Sequence, residues 1–149
     1  MASSAPSLKG RALRLLGQRE HSRSELERKL ARYEEEPGTL ARALDELAAK
    51  DFISEARVVQ SVLHRRAARH GAARVRQELL HKGIAPETVA EAIAGLTGSE
   101  LQRAREVWQQ RFGAPPRDAA ERAKQARFML ARGFAAGVVA KVLRDDFDD

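Results

Sequence analysis

Leu79-Leu80-His81-Lys82-Gly83-Ile84 and Met129-Leu130-Ala131-Arg132-Gly133-Phe134 share one frame, apolar-Leu-x-basic-Gly-apolar, at a displacement of 50 residues. The match continues without a gap, because Val89 and Ile93 after the first stretch meet Val139 and Leu143 after the second. Self-similarity at a fixed period of this size marks an array of supersecondary units. Apolar coincidences alone arise between any two amphipathic helices. A glycine with the same basic and apolar neighbours makes chance a poor explanation. A further copy lies upstream at a displacement of 49, where Leu26, Leu30, Leu40, Leu44 and Leu47 fall on Val75, Leu79, Val89, Ile93 and Leu96. That copy has Arg32-Tyr33-Glu34-Glu35-Glu36-Pro37-Gly38 where the turn should be, so its connection must be built differently.

Helical punctuation extends outward from these turns. Leu8, Ala12, Leu15 and Leu16 space a first helix over 8–19. Ser22 and Glu25 form a capping box for a second helix reaching about Arg32, and Thr39 is placed to cap a third. Ser54 caps a long fourth helix, bearing Val58, Val59, Val62 and Leu63 and ending at Gly71. The fifth runs from about Ala72 to the left-handed cap expected at Gly83, and Pro86 suits the first turn of the sixth. Ser99 and Gln102 repeat the capping-box spacing before a seventh helix with Leu101, Ala104, Trp108 and Phe112 inward; Gly113-Ala114-Pro115-Pro116 stops it. The eighth is closed by Gly133, and the ninth carries Val139, Val142 and Leu143. No sustained period-two alternation appears. The expected fold is all-α: three tandem three-helix repeats, about nine helices, in an elongated or curved molecule. The expected boundaries are a disordered tail over 1–7, repeats over 8–53, 54–97 and 98–144, and an acidic tail over 145–149.

The 149 residues are 43% hydrophobic but 32% charged, a balance that suits short helices with long polar faces. Cysteine is absent, which excludes disulfides and thiolate metal sites and suits a reducing compartment. Neither a signal peptide nor an apolar run of membrane-spanning length is evident, so a soluble, cytoplasmic protein is expected. A monomer is the expected state.

The net charge of +6 is local. Between residues 57 and 82 stand seven basic residues, Arg57, Arg65, Arg66, Arg69, Arg74, Arg76 and Lys82, against the single acid Glu78; elsewhere the charges balance. Such a concentration implies a polyanionic partner, nucleic acid or an acidic protein groove. The alternative is a solvated face. The helix beginning near Ala72 could also act as a DNA reader through Arg74, Arg76 and Gln77, the basis of an alternative reading as an autonomous helical DNA-binding regulator. Against that reader stand the lack of a dimer seam and of aromatic interleaving; non-specific DNA contact is the more natural expectation.

Chemistry of its own is not expected. His21, His64, His70 and His81 form no metal-ligand spacing, Ser22 is explained by capping, and no phosphate-binding Gly-rich loop is present, so no cofactor is implied. Glu34-Glu35-Glu36 reads as a solvated run. Trp108 with Phe112 reads as core, and the terminal Asp cluster as a frayed end.

At these residues the chain resembles the RecX family of bacterial regulators. The resemblance is carried by Ala12-Leu13-Arg14-Leu15-Leu16 with Arg19-Glu20-His21-Ser22-Arg23-Ser24-Glu25-Leu26, by Arg57-Val58, and by the run from Gly71 through Arg74-Val75-Arg76-Gln77-Glu78-Leu79 to Lys82-Gly83-Ile84. Phe112-Gly113, Arg122-Ala123-Lys124-Gln125-Ala126-Arg127-Phe128-Met129 and Arg132-Gly133-Phe134 match the third repeat. Departures are Asp51 where the family usually has Gly, Ser54-Glu55 where an Asp/Glu pair is common, and the first repeat's turn. The resemblance implies three trihelical repeats and a partner, the RecA–DNA filament. It also implies modulation, usually inhibition, of recombinase, ATPase and co-protease activities in DNA repair, recombination and the SOS response.

Overall fold

The computed structural model describes residues 5–145. Nine α-helices are found among them and no strand: α1 Leu8–Gln18, α2 Arg23–Leu30, α3 Thr39–Ala49, α4 Glu55–Arg66, α5 Ala72–His81, α6 Pro86–Thr97, α7 Glu100–Arg111, α8 Ala119–Ala131 and α9 Ala136–Asp145. The all-α architecture of three-helix repeats therefore stands. The acidic run beyond Asp145 and the first four residues lie outside the described residues. The chain forms two compact units, one reaching Ser61 and including His81–Ile84, the other made of Val62–Leu80 and the chain from Ala85 onward.

In the first unit α1, α2 and α3 close on Ala12, Leu26, Leu30, Leu40, Leu44 and Leu47, all buried. The Ser22 box forms in both directions: the Glu25 amide donates to Ser22 Oγ at 3.1 Å and the Ser22 amide to Glu25 Oε1 at 3.0 Å. The second helix ends two residues earlier than its apolar spacing suggests, and Ala31–Tyr33 tightens into a 3₁₀ turn. Thr39 is not the cap of α3. Gly38, left-handed at φ 88°, occupies that position, while Thr39 Oγ1 donates to the Glu36 carbonyl. Glu34 accepts from the Leu40 amide at 2.9 Å, so part of the acidic run caps α3. Asp51 adopts φ 65° at the position where a glycine is usual in the family, and Ser54 Oγ accepts from the Arg57 amide as expected of a cap.

In the second unit α7, α8 and α9 enclose Ala104, Val107, Trp108, Met129, Phe134, Val139, Val142 and Leu143. Trp108 is core, its indole N–H donating to Gln125 Oε1 at 2.8 Å, and Phe112 meets Phe128 edge to face. Gly83, Gly113 and Gly133 take positive φ, as their turns require. Asp118 caps α8.

Two expectations fail here for one reason. The Ser99–Gln102 box does not form, because Ser99 Oγ donates to the Leu96 carbonyl and accepts from Arg103 Nε, while Gln102 turns to Glu106. The fourth helix stops at Arg66 and not at Gly71. Arg103 takes the carbonyls of Ala67 and His70, and the Gly71 amide donates to the Arg132 carbonyl at 2.9 Å. The backbone groups that would prolong α4 are committed elsewhere.

The Gly turns are joints. Lys82 offers its carbonyl to Ser22 Oγ, at the start of the second helix of the first repeat. Fifty residues on, Arg132 offers its carbonyl to Gly71, at the start of the second helix of the middle repeat. Behind each carbonyl, Gly83 lies against Ser24 and Gly133 against Arg74, too close for any Cβ. The first repeat lacks this frame: its turn is the 3₁₀ segment Ala31–Tyr33 followed by the left-handed Gly38.

Glu25 anchors the first joint. It receives Arg19 at 2.8 Å and Lys82 at 3.2 Å. Burial pushes its carboxyl up, but Arg19, the Ser22 amide and Lys82 outweigh that and hold it at about 2. A folded-state value below the ordinary one means that the stabilisation is complete above about pH 4.5 and is lost as pH falls toward 2. Glu25→Gln should therefore cost about 2 kcal/mol at pH 7, with its deficit against the parent shrinking in thermal melts taken from pH 5 down to pH 2.5. A deficit independent of pH would remove the charge from this account.

Candidate partner-binding surface

The seven basic residues singled out above fall into distinct environments. Arg57 is held in the first unit by Glu20 at 2.9 Å and by the carboxylate of Asp51 at 3.0 Å. Lys82 is largely buried against Glu25, its side chain 12% exposed. In the second unit Arg65 and Arg66 share Glu78, at 2.7 and 2.8 Å. Burial pushes the Glu78 carboxyl up and the two guanidiniums bring it below the ordinary carboxylate value. Two charges therefore meet one, leaving an excess of positive charge at that point.

Arg69, Arg74 and Arg76 are exposed and have no carboxylate partner among the described residues. Arg76 lies roughly 200° around α5 from Arg74, so those two face different directions. Arg132 joins the group from the α8 end, its guanidinium donating to the Arg69 carbonyl at 3.3 Å. His70 sits among these cations. Burial pushes its pKa down, and Arg66, Arg132 and Arg74 lower it further; its Nδ1 is buried without a hydrogen bond. The surface is thus a cluster of Arg66, Arg69, Arg74 and Arg132 around the turn that follows α4. It offers planar donors to phosphate or carboxylate.

Sequence reasoning missed Arg132 and Arg103. Arg132 was legible only as the basic member of the repeated turn. Arg103 is buried, reaching Ala67, His70 and Leu96 carbonyls at 2.9, 2.6 and 3.2 Å, and shapes the turn that carries the cluster. Glu100, also buried, accepts from the Ala72 amide at 2.7 Å. The N-terminus of α5, which a major-groove reader would need free, is therefore occupied by Glu100 and by Gly133 at Arg74. No cluster of three or more metal-ligating side chains occurs among the described residues, and no described helix is long and apolar enough to cross a membrane.

Sequence models of the first, second and third three-helix domains of RecX match residues 9–47, 54–93 and 99–143. The regulatory protein RecX of Leptothrix cholodnii is 55% identical over 146 residues, covering 97% of this chain and 93% of that protein. That of Ralstonia nicotianae is 49% identical over 138 residues, covering 93% and 87%. Among solved structures, RecX from Lactobacillus salivarius superposes with a TM-score of 0.70 at 17% identity, covering 93% of each chain. A second crystal structure of regulatory protein RecX gives 0.73 at 18% identity, over 91% of this chain and 70% of that one. The ordered match of all three domains, and identity of this level over nearly the whole length, show that the chain belongs to the RecX family.

Proposed function

We propose that this chain is a cytoplasmic regulator that binds RecA–DNA filaments and restrains their recombinase, ATPase and co-protease activities in DNA repair, recombination and the SOS response, with no chemistry of its own. The observation that carries the proposal is the complete, ordered set of three RecX domains, whose relatives bear the name of regulatory proteins. The cationic cluster around Arg69, Arg74 and Arg132 supports it, because a filament presents both acidic side chains and phosphates. Distributed, charge-assisted contacts suit a partner that repeats along its axis. Arg57 and Lys82 serve mainly to hold the fold in this reading. The covered N-terminus of α5 disfavours autonomous reading of DNA sequence.

The test is ATP turnover and strand exchange by RecA with substoichiometric and stoichiometric amounts of the monomeric chain. Inhibition is expected. Replacing Arg69, Arg74 and Arg132 together by alanine should weaken filament affinity about tenfold at physiological salt and flatten its salt dependence. Parental RecA activity at every ratio of the unaltered chain would overturn the function; an unchanged salt dependence of the triple variant would overturn the surface.

A further inference from the structure

A second cationic site lies in the first repeat. A cleft of about 500 Å³ opens between α1 and the α2 end, lined by Arg11, Arg14, Arg28, Lys29 and Arg32 with Tyr33. No carboxylate pairs with any of these five cations among the described residues. Arg11 stacks over the Tyr33 ring at 3.7 Å, and Arg32 donates to Tyr33 Oη at 2.7 Å. Arg28 donates to the His81 carbonyl and Lys29 meets His21 Nε2. Burial pushes the His21 pKa down, and the Arg19 and Lys29 charges lower it further, so the ring is a neutral acceptor and adds no anion to the cleft.

The cleft's place in the repeat gives it meaning. Residues 32–34 occupy the register of His81-Lys82-Gly83 one repeat later, the segment that docks on the second helix of the preceding repeat. In the first repeat the equivalent segment borders this cleft, whose charged lining is cationic throughout among the described residues. We propose that this cleft binds the backbone phosphates of a single nucleic-acid strand. Arg11 and Arg14 stand three apart on α1, while Arg28 lies in the last turn of α2 and Arg32 follows in the 3₁₀ turn. The α1 pair forms a row at about 5–6 Å, comparable with the step between successive phosphates of an extended strand. Leu15 and Pro6 supply an apolar edge for sugars and base faces. The guanidinium of Arg11 is pre-oriented by its stack on Tyr33, and its N–H groups have no partner among the described residues, which favours bidentate contact with phosphate oxygens. Consecutive carboxylates of an extended peptide alternate in direction and fit such a row less well.

The proposal does not depend on RecA, and its test uses the full chain alone. Anisotropy of a fluorescent 20-residue oligothymidylate is followed against salt for the parent and for Arg11→Gln/Arg14→Gln/Arg32→Gln. The triple variant should bind about tenfold more weakly at low salt. Its slope of log K against log salt should fall by about 2, at roughly 0.7 for each phosphate no longer neutralised. Arg122→Gln/Lys124→Gln, exposed on α8, should leave affinity within about twofold, since it removes bulk charge alone. Arg14→Gln singly, a change at an exposed side chain, should still lose about threefold and covers any misfolding of the triple variant. Equal losses in the cleft and α8 variants, or no loss in the cleft variants, would overturn the site. Displacement of the strand by tripolyphosphate or by polyglutamate at equal charge concentration would overturn the strand as its ligand, in favour of a free phosphate or an acidic peptide.

Discussion

Arg103→Ala is expected to destabilise the second unit by about 3–5 kcal/mol, the largest effect of any polar substitution in the chain. Four guanidinium hydrogen bonds would go with it: Nη1 reaches the Ala67 and His70 carbonyls, Nη2 the Leu96 carbonyl at 3.2 Å, and Nε the Ser99 hydroxyl at 3.1 Å. Burial lowers the Arg103 pKa and the Glu100 charge opposes that shift, but a guanidinium remains charged at any working pH. Alanine would strand the Ala67 and His70 carbonyls in the turn that follows α4, while the Leu96 carbonyl would keep its Ser99 partners. Arg103→Met restores the apolar volume without the donors and should recover less than about 1 kcal/mol of the loss. Arg103→Lys brings one ammonium that cannot reproduce the planar fork across the Ala67, His70 and Ser99 acceptors, so it should recover under half. Urea midpoints for the three variants check this order. A methionine variant within about 1 kcal/mol of the parent would show that the fork satisfies nothing the fold requires.

Arg103 also marks the limit of what the sequence discloses. The helices were legible because their signals are local: leucine and valine at helical spacing, the Ser22–Glu25 box, Pro86 at a helix start and the glycines at 83, 113 and 133. What failed was long range. Ser99 and Gln102 have the spacing of a box, but nothing adjacent reveals that Arg103 will claim Ser99 or that Glu100 will cap the helix beginning at Ala72. The charge count between residues 57 and 82 contains one acid, yet Glu20, Asp51 and Glu25 arrive from earlier segments to engage Arg57 and Lys82. The converse holds in the first repeat. There acids such as Glu27 and Glu34 alternate with Arg28, Lys29 and Arg32, so the linear count looks balanced. Helical periodicity then sorts the cations into one cleft and sends Glu27 to Arg23 and Glu34 to the Leu40 amide.

Gly133→Ala is expected to cost about 3–4 kcal/mol, and Gly83→Ala about 2–3 kcal/mol, through the joints that the repeated turn builds. Each glycine takes a left-handed conformation, at φ 89° and 77°, which costs alanine about 1–2 kcal/mol. Each also has a second-helix residue where a Cβ would go. At Gly133 the new carbon would fall 2.5 Å from Arg74 Cβ and 2.6 Å from the Arg74 amide nitrogen. A backbone atom cannot rotate aside, so α5 itself would have to withdraw, breaking the Gly71–Arg132 hydrogen bond as it moved. At Gly83 the clash is with Ser24 Cβ at 2.5 Å and Oγ at 2.6 Å, side-chain atoms that can be removed. Ser24→Gly in the Gly83→Ala background should therefore recover about 1 kcal/mol, after allowing for the cost of Ser24→Gly alone, and leave the backbone cost behind. No single substitution should give comparable relief at Gly133. Thermal melts of the single variants and the Ser24–Gly83 double-mutant cycle separate the two contributions. If the coupling is zero, the turn needs glycine for its conformation alone. The repeated Lys/Arg-Gly frame would then encode a helix ending and not a joint between repeats.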